Sequence, residues 1–253
     1  MDQLLRPLHT RSLKQEVVSY FENLILTGKL EPGDRLPPER ELAERLEVSR
    51  PVIHEGLVEL AAKGLVSITP RRGTFINDYL HDGNLGVVNS LLDHQSTDDL
   101  DPGLLINLLD FRLAVETAAA AKAAEKRTGE HLARYEAILE EERNLSGIGE
   151  GRIADVDFRF HHLTAIASGN VIYPLLMNGL RDIYITILTR FYESRESLPI
   201  VRKLHIRFVE AVARRDAGDA RRIMEEILEY GAGELLRLVR FRGRRGESTD
   251  AEN

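Results

Sequence analysis

The sequence has 253 residues, of which 43% are hydrophobic and 30% are charged, a balance typical of folded globular proteins. It contains no cysteine, which excludes disulfides, thiolate catalysis and cysteine-ligated metals, so a metal would need His, Asp or Glu ligands. The formal net charge is −7, and because no signal peptide or apolar segment of membrane-spanning length is apparent, we expect a cytoplasmic protein with no membrane partner.

The first third of the chain carries the pattern of a winged helix-turn-helix. Apolar residues at helical spacing predict a helix over about 12–27. A short helix opens near Pro37, and after a three-residue break Ser49 can cap a second helix that ends at Gly64. Two short strands around a basic turn at 70–73 then predict a β-hairpin, the wing.

Six polar side chains stand where such a module would meet DNA. They are Arg40, Ser49, Arg50, His54, Arg71 and Arg72. The second helix of the motif lies in the major groove, where arginine can bind a guanine edge, and a basic wing tip suits the minor groove or the backbone. Residues 1–78 hold 11 Lys or Arg and 12 Asp or Glu, a net charge of −1, so DNA binding depends on how the arginines are placed. The alternative is an ordinary solvated surface, but the order of the six favours DNA.

A break in the apolar pattern at 77–83 predicts a linker, and the rest of the chain is predicted to be helical. We expect a DNA-binding domain at 1–78, a ligand-sensing and dimerisation domain at 84–241 and a disordered tail at 242–253. The predicted helices are 84–94, 101–129, 130–145, 152–168, 171–194, 198–216 and 219–240. The fold class is mainly α: a winged helix-turn-helix with a small β-hairpin, then an all-α bundle of about seven helices with a central cavity.

Three side chains of the predicted bundle can bind a metal. Asp157 and His161 are four residues apart and therefore share one face of a helix, and His205 lies in a later helix. A carboxylate and two imidazoles can bind Zn²⁺, Ni²⁺ or Mn²⁺ and leave coordination positions open for the carboxylate of a ligand. The alternative is a set of hydrogen bonds within the core.

Arg112 lies inside an otherwise apolar helix, four residues before Glu116. Burial of an unpaired arginine is costly, so Arg112 should pair with a carboxylate. That partner is either Glu116 or another acidic residue, which makes an internal salt bridge, or the carboxylate of a bound ligand. The sequence leaves both possibilities open.

Several spaced motifs follow one another in a fixed order. They are Pro32-Gly33-Asp34-Arg35-Leu36-Pro37-Pro38-Glu39-Arg40-Glu41-Leu42-Ala43, Val48-Ser49-Arg50, Arg72-Gly73-Thr74-Phe75-Ile76, Phe111-Arg112-x-x-Val115-Glu116 and Asp157-x-x-Phe160-His161. Together they resemble the GntR family of transcription regulators, and the C-terminal half resembles its FadR branch. Two positions depart from the family pattern, because His54 replaces the usual arginine and Glu47 the usual glycine. We therefore expect an altered operator preference.

The resemblance implies a ligand-responsive repressor of a metabolic operon, not an enzyme, that binds a palindromic double-stranded DNA operator as a homodimer. Its effector would be an organic acid or an acyl-CoA. Many relatives have a further metal-binding histidine where this sequence has Ile227. A stretch from Ser168 to Tyr184 resembles the acyl-CoA-responsive member of the branch and suggests Tyr173 and Asn178, with Arg112, as ligand contacts. The alternative for the tyrosines is that they are core aromatics.

Two functions from other classes remain open at this point. A metal-dependent hydrolase could activate water on Asp157, His161 and His205, although no general base stands at a motif spacing and the N-terminal module would be unexplained. The second function is that of an interaction protein whose DNA-binding module has degenerated. The departures from the family pattern at Glu47 and His54 favour this function weakly.

Overall fold

The computed structural model describes residues 12–93 and 101–247, and its contacts divide the chain into two units between His94 and Gln95. The first unit contains α1 (Leu13–Leu26), α2 (Glu39–Arg45), α3 (Arg50–Lys63), β1 (Val66–Thr69), β2 (Gly73–Ile76), α4 (Tyr79–Asp82) and α5 (Leu85–Asp93). Helix, turn, helix and hairpin follow one another as the sequence pattern predicts.

Local signals define the elements of the first unit. Helix α1 begins with a capping box, in which Ser12 Oγ accepts the Gln15 N–H and the Gln15 side chain accepts the Ser12 N–H. Helix α3 ends at Gly64, whose φ of +83° is left-handed, and an added Cβ would lie 2.0 Å from the Asp82 carbonyl oxygen. Only glycine fits that position.

The wing is a two-stranded antiparallel sheet that packs on the helical core. Val66 pairs with Ile76 and Thr69 with Gly73, which places the tip of the hairpin at residues 70–72. The inward-facing side chains join a hydrophobic core from α1, α2 and α3. That core includes Val17, Phe21, Leu42, Ile53, Leu57, Leu60, Leu65 and Ile76.

The segment expected to be a linker is partly helical. Asp78 caps the short helix α4 by accepting the Leu80 N–H, and α5 packs against α1 and α3. Lys63 Nζ lies 2.6 Å from a buried Glu22 oxygen, to which Ser90 Oγ also donates at 2.7 Å. The sequence pattern assigned the helix predicted at 84–94 to the C-terminal domain. In the structure, this helix is α5 and groups with the first unit, because the polar cluster and the apolar face of α5 bind it to α1 and α3.

The second unit is all helical. It contains α6 (Pro102–Lys126), α7 (Gly129–Arg143), α8 (Glu150–Ala167), α9 (Ile172–Gly179), α10 (Arg181–Phe191), α11 (Ser197–Ala213) and α12 (Ala217–Glu247). Helix α8 contacts α6, α7, α9 and α10, and it is the most buried of the seven helices in the described part of this unit. The predicted mainly α fold class is confirmed.

Two predicted boundaries in this unit were wrong. The single helix expected at 171–194 is broken at Leu180 into α9 and α10, because Gly179 disfavours helix continuation. Helix α12 extends to Glu247, so residues 242–247 of the predicted tail are helical, while 248–253 lie outside the described residues. Within the described ranges, no helix combines the length and apolarity that crossing a membrane requires.

Candidate functional site

The turn between α2 and α3 uses an unusual residue. After α2, Glu47 takes a φ of +53°, and the Val48 N–H donates to the Ala43 carbonyl at 3.1 Å, which is the bonding pattern of a Schellman motif. A side chain in this left-handed conformation costs about 1 kcal/mol relative to glycine. The structure thus explains why glycine suits this position and shows that glutamate is tolerated.

Replacing Glu47 with glycine is expected to raise the free energy of unfolding by about 0.5–1 kcal/mol, because the left-handed backbone is relieved. It should also strengthen DNA binding a few-fold, because an anion leaves the helix-turn-helix surface. Glu47→Ala is the matched control: it removes the charge but keeps the strain. Thermal unfolding and fluorescence anisotropy separate the two effects, and equal stability of the two variants would contradict the conformational explanation.

The beginning of α3 presents two of the predicted base-reading residues. Arg50 and His54 are exposed, and both bind the carboxylate of Glu39 on α2, with Arg50 Nε at 3.2 Å from Oε2 and His54 Nδ1 at 2.8 Å from Oε1. The hydrogen bond from His54 lowers the pKa of Glu39, burial opposes it, and Arg50 adds to the lowering. Both side chains are thereby held at the exposed start of the recognition helix.

The other four predicted DNA contacts are also on the surface of the first unit. Ser49 is the N-cap residue of α3, although its side chain makes no capping hydrogen bond. Arg40 is 85% exposed and lies 3.8 Å from Glu44, a loose surface pair. Arg71 and Arg72 are exposed at the wing tip, where Arg71 has a φ of +62°. All six side chains are exposed.

The three predicted metal ligands lie together in the second unit. Asp157 and His161 on α8 and His205 on α11 are all buried, and one potential ligand atom from each lies within 4.8 Å of the others. His161 Nε2 is 3.8 Å and His205 Nε2 is 3.6 Å from the Asp157 carboxylate. Metal–ligand bonds of about 2.1 Å would bring ligand atoms on one ion to a comparable spacing.

A carboxylate lies against the other nitrogen of each imidazole. His161 Nδ1 lies 2.5 Å from Glu116 Oε2, and His205 Nδ1 lies 2.7 Å from Glu142 Oε1. This orients each Nε2 toward Asp157, and metal-binding histidines in proteins are commonly oriented in this way by a carboxylate on the nitrogen that does not bind the metal. His205 Nε2 is buried and makes no hydrogen bond within the described residues. A cation would satisfy it, so these residues fit a divalent metal.

Tyr192 and Glu142 complete the site, and sequence reasoning missed both. The Tyr192 hydroxyl donates to Asp157 Oδ1 at 2.9 Å, and burial together with the Asp157 carboxylate raises the pKa of Tyr192. Tyr192 follows α10 and Glu142 is one of three consecutive glutamates on α7. No spacing rule distinguishes Glu142 from its neighbours, and only its burial does.

Arg112 makes the internal salt bridge that was one of its two predicted roles. Arg112 Nε donates to Glu116 Oε1 at 2.9 Å, and the Tyr184 hydroxyl donates to the same oxygen at 2.9 Å. Burial disfavours the charged forms of Arg112 and Glu116, but their mutual attraction outweighs this effect. The Arg112 and His161 side chains lower the pKa of Glu116 to about 2, and Glu116 raises the pKa of Arg112. A continuous set of buried polar contacts therefore runs from Arg112 through Glu116 to His161.

A small cavity of about 20 Å³ adjoins the metal-competent side chains. Its wall includes Arg112, Asp157, His161, Phe191, Tyr192 and Ile227. The other two predicted ligand contacts are elsewhere: Tyr173 is half-buried and Asn178 exposed on α9, and neither lines this cavity. Both were chosen by resemblance, and no residue of α9 lines this cavity.

A winged helix-turn-helix and an all-α domain with a cavity beside metal-competent side chains, carried by one chain, define a two-domain transcription regulator. The chain belongs to the GntR family: the model for bacterial regulatory proteins of the gntR family matches residues 13–76. The FCD domain model matches residues 107–230 and covers the metal-competent side chains and the cavity. The first match indicates DNA binding and the second a small-molecule effector.

Relatives support this assignment over most of the chain. A fatty acid metabolism regulator protein of Pectobacterium carotovorum is 32% identical, with 84% of each chain covered. The Uxu operon transcriptional regulator of Escherichia coli is 30% identical over 86% of this chain and 79% of its own. Among solved structures, Lar of Listeria monocytogenes has a TM-score of 0.60 at 20% identity and covers 91% of this chain and 100% of its own, which shows the fold alone.

Proposed function

We propose that this protein is a homodimeric repressor of a metabolic operon whose effector is a small organic acid bound at a divalent metal. The observation that carries the proposal is the cavity in which Asp157, His161 and Arg112 meet, with His205 completing the ligand set. An anionic group suits a buried cavity that combines a metal with an arginine. The names of the relatives, which concern fatty acid metabolism and the Uxu operon, support a metabolic role.

The proposed functions of the two domains follow the domain boundaries predicted from the sequence. Residues 1–78 bind the operator, and residues 84–241 sense the effector and dimerise. Within the second range, α5 packs on the first unit. Arg40, Ser49, Arg50, His54, Arg71 and Arg72 contact DNA. One recognition helix supplies few base contacts, so two copies on a palindrome double them, which favours a homodimer.

Replacing Arg50 with alanine should cost about 1–3 kcal/mol of binding to the preferred operator, a loss of roughly 5- to 150-fold, because a base-edge contact is removed. Arg71→Ala should weaken preferred and random DNA about equally, because the wing contacts the backbone. Fluorescence anisotropy titrations of both variants test these losses, with an operator selected from a random pool and with random DNA. The affinity of the wild-type protein for DNA should also fall steeply as the salt concentration rises. Equal losses of Arg50→Ala on both DNAs would remove its proposed base-reading role.

Asp157, His161 and His205 are the proposed ligands of Zn²⁺, Ni²⁺ or Mn²⁺, with Glu116 and Glu142 orienting the imidazoles. A bound metal would act as a Lewis acid for the carboxylate of the effector. Arg112 would face the same carboxylate from the cavity wall while its Nε stays on Glu116. Tyr192 holds Asp157 in place through its hydroxyl.

The size of the cavity favours a small acid over an acyl-CoA. One water needs about 10–15 Å³ of such space, so a cavity of about 20 Å³ holds about one water. Side chains of the wall would move aside for an acid of a few carbon atoms, whereas a long acyl chain with its coenzyme would require a far larger opening. Phe191 and Ile227 supply apolar walls for the carbon skeleton.

Native mass spectrometry of the purified full chain tests the proposal directly. We expect a dimer with one metal per chain, and calorimetry with small hydroxy and keto acids should show binding that disappears after chelation. Absence of stoichiometric metal together with tight binding of an acyl-CoA would replace the small-acid proposal. Turnover of an ester or amide by protein that does not bind DNA would instead support the hydrolase alternative.

Replacing Ile227 with histidine should tighten metal binding at least about tenfold, because Ile227 lines the same cavity and a fourth ligand would complete the set. Ile227→Gln is the matched control, since it adds polarity without an imidazole. Competition with a chromogenic chelator measures the affinity. If Ile227→His binds metal no more tightly than Ile227→Gln, the side chain at this position does not reach the ion.

A further inference from the structure

A second cavity lies in the helical unit, where the end of α7, the following loop and the beginning of α11 meet. It has a volume of about 480 Å³ and is partly open to solvent. Its wall contains three arginines, Arg143, Arg195 and Arg202, together with the small residues Ser146 and Gly147. None of the predicted ligand-binding residues lines it, and neither do Asp157, His161 and His205.

The charges of this wall are available to a ligand. Arg143 and Arg195 make surface pairs with Glu140 and Glu150, each at 2.6 Å, and exposed pairs of this kind exchange readily because water screens them. Arg202 is half-buried and makes no ion pair or hydrogen bond within residues 12–93 and 101–247. An arginine partly removed from water without a partner is a donor group that an anion can satisfy.

The start of helix α11 brings few backbone donors to this wall. The Ser197 and Leu198 N–H groups already donate to the Ser194 and Arg195 carbonyls at 3.3 and 3.4 Å, and Pro199, which lines the cavity, has no N–H. Side chains therefore supply the positive charge. Glu142 is the one carboxylate in the wall, and its Oε1 is already bonded to His205 Nδ1. The wall therefore carries three guanidinium groups and one carboxylate, a net positive charge.

We propose that this cavity is a second effector site, which binds the phosphate group of a small phosphorylated metabolite. A phosphate monoester carries close to two negative charges and several acceptor oxygens, and guanidinium groups match that geometry with paired hydrogen bonds. The Arg143, Arg195 and Arg202 side chains would bind the phosphate, and the space above Gly147 would hold the rest of the metabolite. This site adjoins the proposed metal centre through Glu142, but none of its three arginines contacts the proposed metal ligands, and phosphate binding would not require the metal.

Calorimetry of the full-length protein with inorganic phosphate and with glycerol 3-phosphate tests this site. We expect saturable binding of both, weakened about ten- to a hundredfold by Arg202→Gln and less by Arg202→Lys, which keeps the charge. Arg237→Gln is the matched control, because Arg237 is an exposed arginine of α12 that does not line the cavity. Equal unfolding midpoints of these variants would show that the fold is intact.

Phosphate could also bind a metal or the DNA-contacting arginines, so the titrations are repeated after chelation and with Arg50→Ala. Binding that survives both and falls in Arg202→Gln supports the second site, even if no metal is found. Binding that disappears on chelation, or with Arg50→Ala but not with Arg202→Gln, would overturn it. So would an affinity unchanged between Arg202→Gln and Arg237→Gln, or no binding of either probe to the wild-type protein.

Discussion

Replacing Arg112 with methionine is expected to lower the free energy of unfolding by about 3–5 kcal/mol, because it leaves Glu116 as a buried carboxylate without its main counter-charge. Both side chains are at most 7% exposed, so water cannot compensate the loss. Methionine keeps most of the side-chain volume and thus limits the contribution of a cavity. Urea denaturation of the full chain, followed by circular dichroism, measures the change in the free energy of unfolding.

Two further variants separate the buried charge from packing. Arg112→Met combined with Glu116→Gln should be more stable than Arg112→Met alone, because the unpaired charge is removed. Arg237→Met, which breaks the exposed pair with Glu234, should leave the denaturation midpoint unchanged. If Arg112→Met were as stable as Arg237→Met, Glu116 would have to find another counter-charge, and the buried pair would not be a main support of the fold.

Replacing His205 with alanine is expected to weaken metal binding by more than about 100-fold, because one of three protein ligands is lost. Glu142→Gln should weaken it by about 10- to 100-fold, since the carboxylate that orients His205 Nδ1 becomes neutral. Competition with a chelator of known affinity, on full-length protein stripped and reloaded with Zn²⁺, measures both. Organic acid binding should fall in the same order if the metal holds the effector.

Glu141→Gln is the control for this pair, because Glu141 adjoins Glu142 in sequence but forms surface ion pairs with Arg152 and Arg159. It should bind Zn²⁺ as the wild-type protein does. An equal loss for Glu141→Gln and Glu142→Gln would indicate a general electrostatic effect of α7. Unchanged binding in His205→Ala would exclude His205 as a ligand.

Local order in the fold was predictable where short-range chemistry decides it. The helix start at Ser12, the glycine at position 64 and the two short strands of the wing are set by interactions within a few residues. The i,i+4 spacing of Asp157 and His161 placed both on one helix face for the same reason. Helix breaks were less predictable, because a glycine weakens a helix without always ending it. Helix α12 continues through Gly231 and Gly233, whereas the helix predicted at 171–194 is broken at Leu180, directly after Gly179.

The sequence by itself determined the family, the order of the elements and the three candidate metal ligands, because motif spacing and helical periodicity are local properties. Only the tertiary structure decided which groups surround those ligands. Glu142 reaches His205 across 63 residues, and Tyr184 reaches Glu116 across 68. Tyr173 and Asn178, chosen by resemblance, lie away from the cavity, whereas Ile227 lines it. Contacts between separate helices depend on how the whole bundle packs, and no pattern along one segment contains that information.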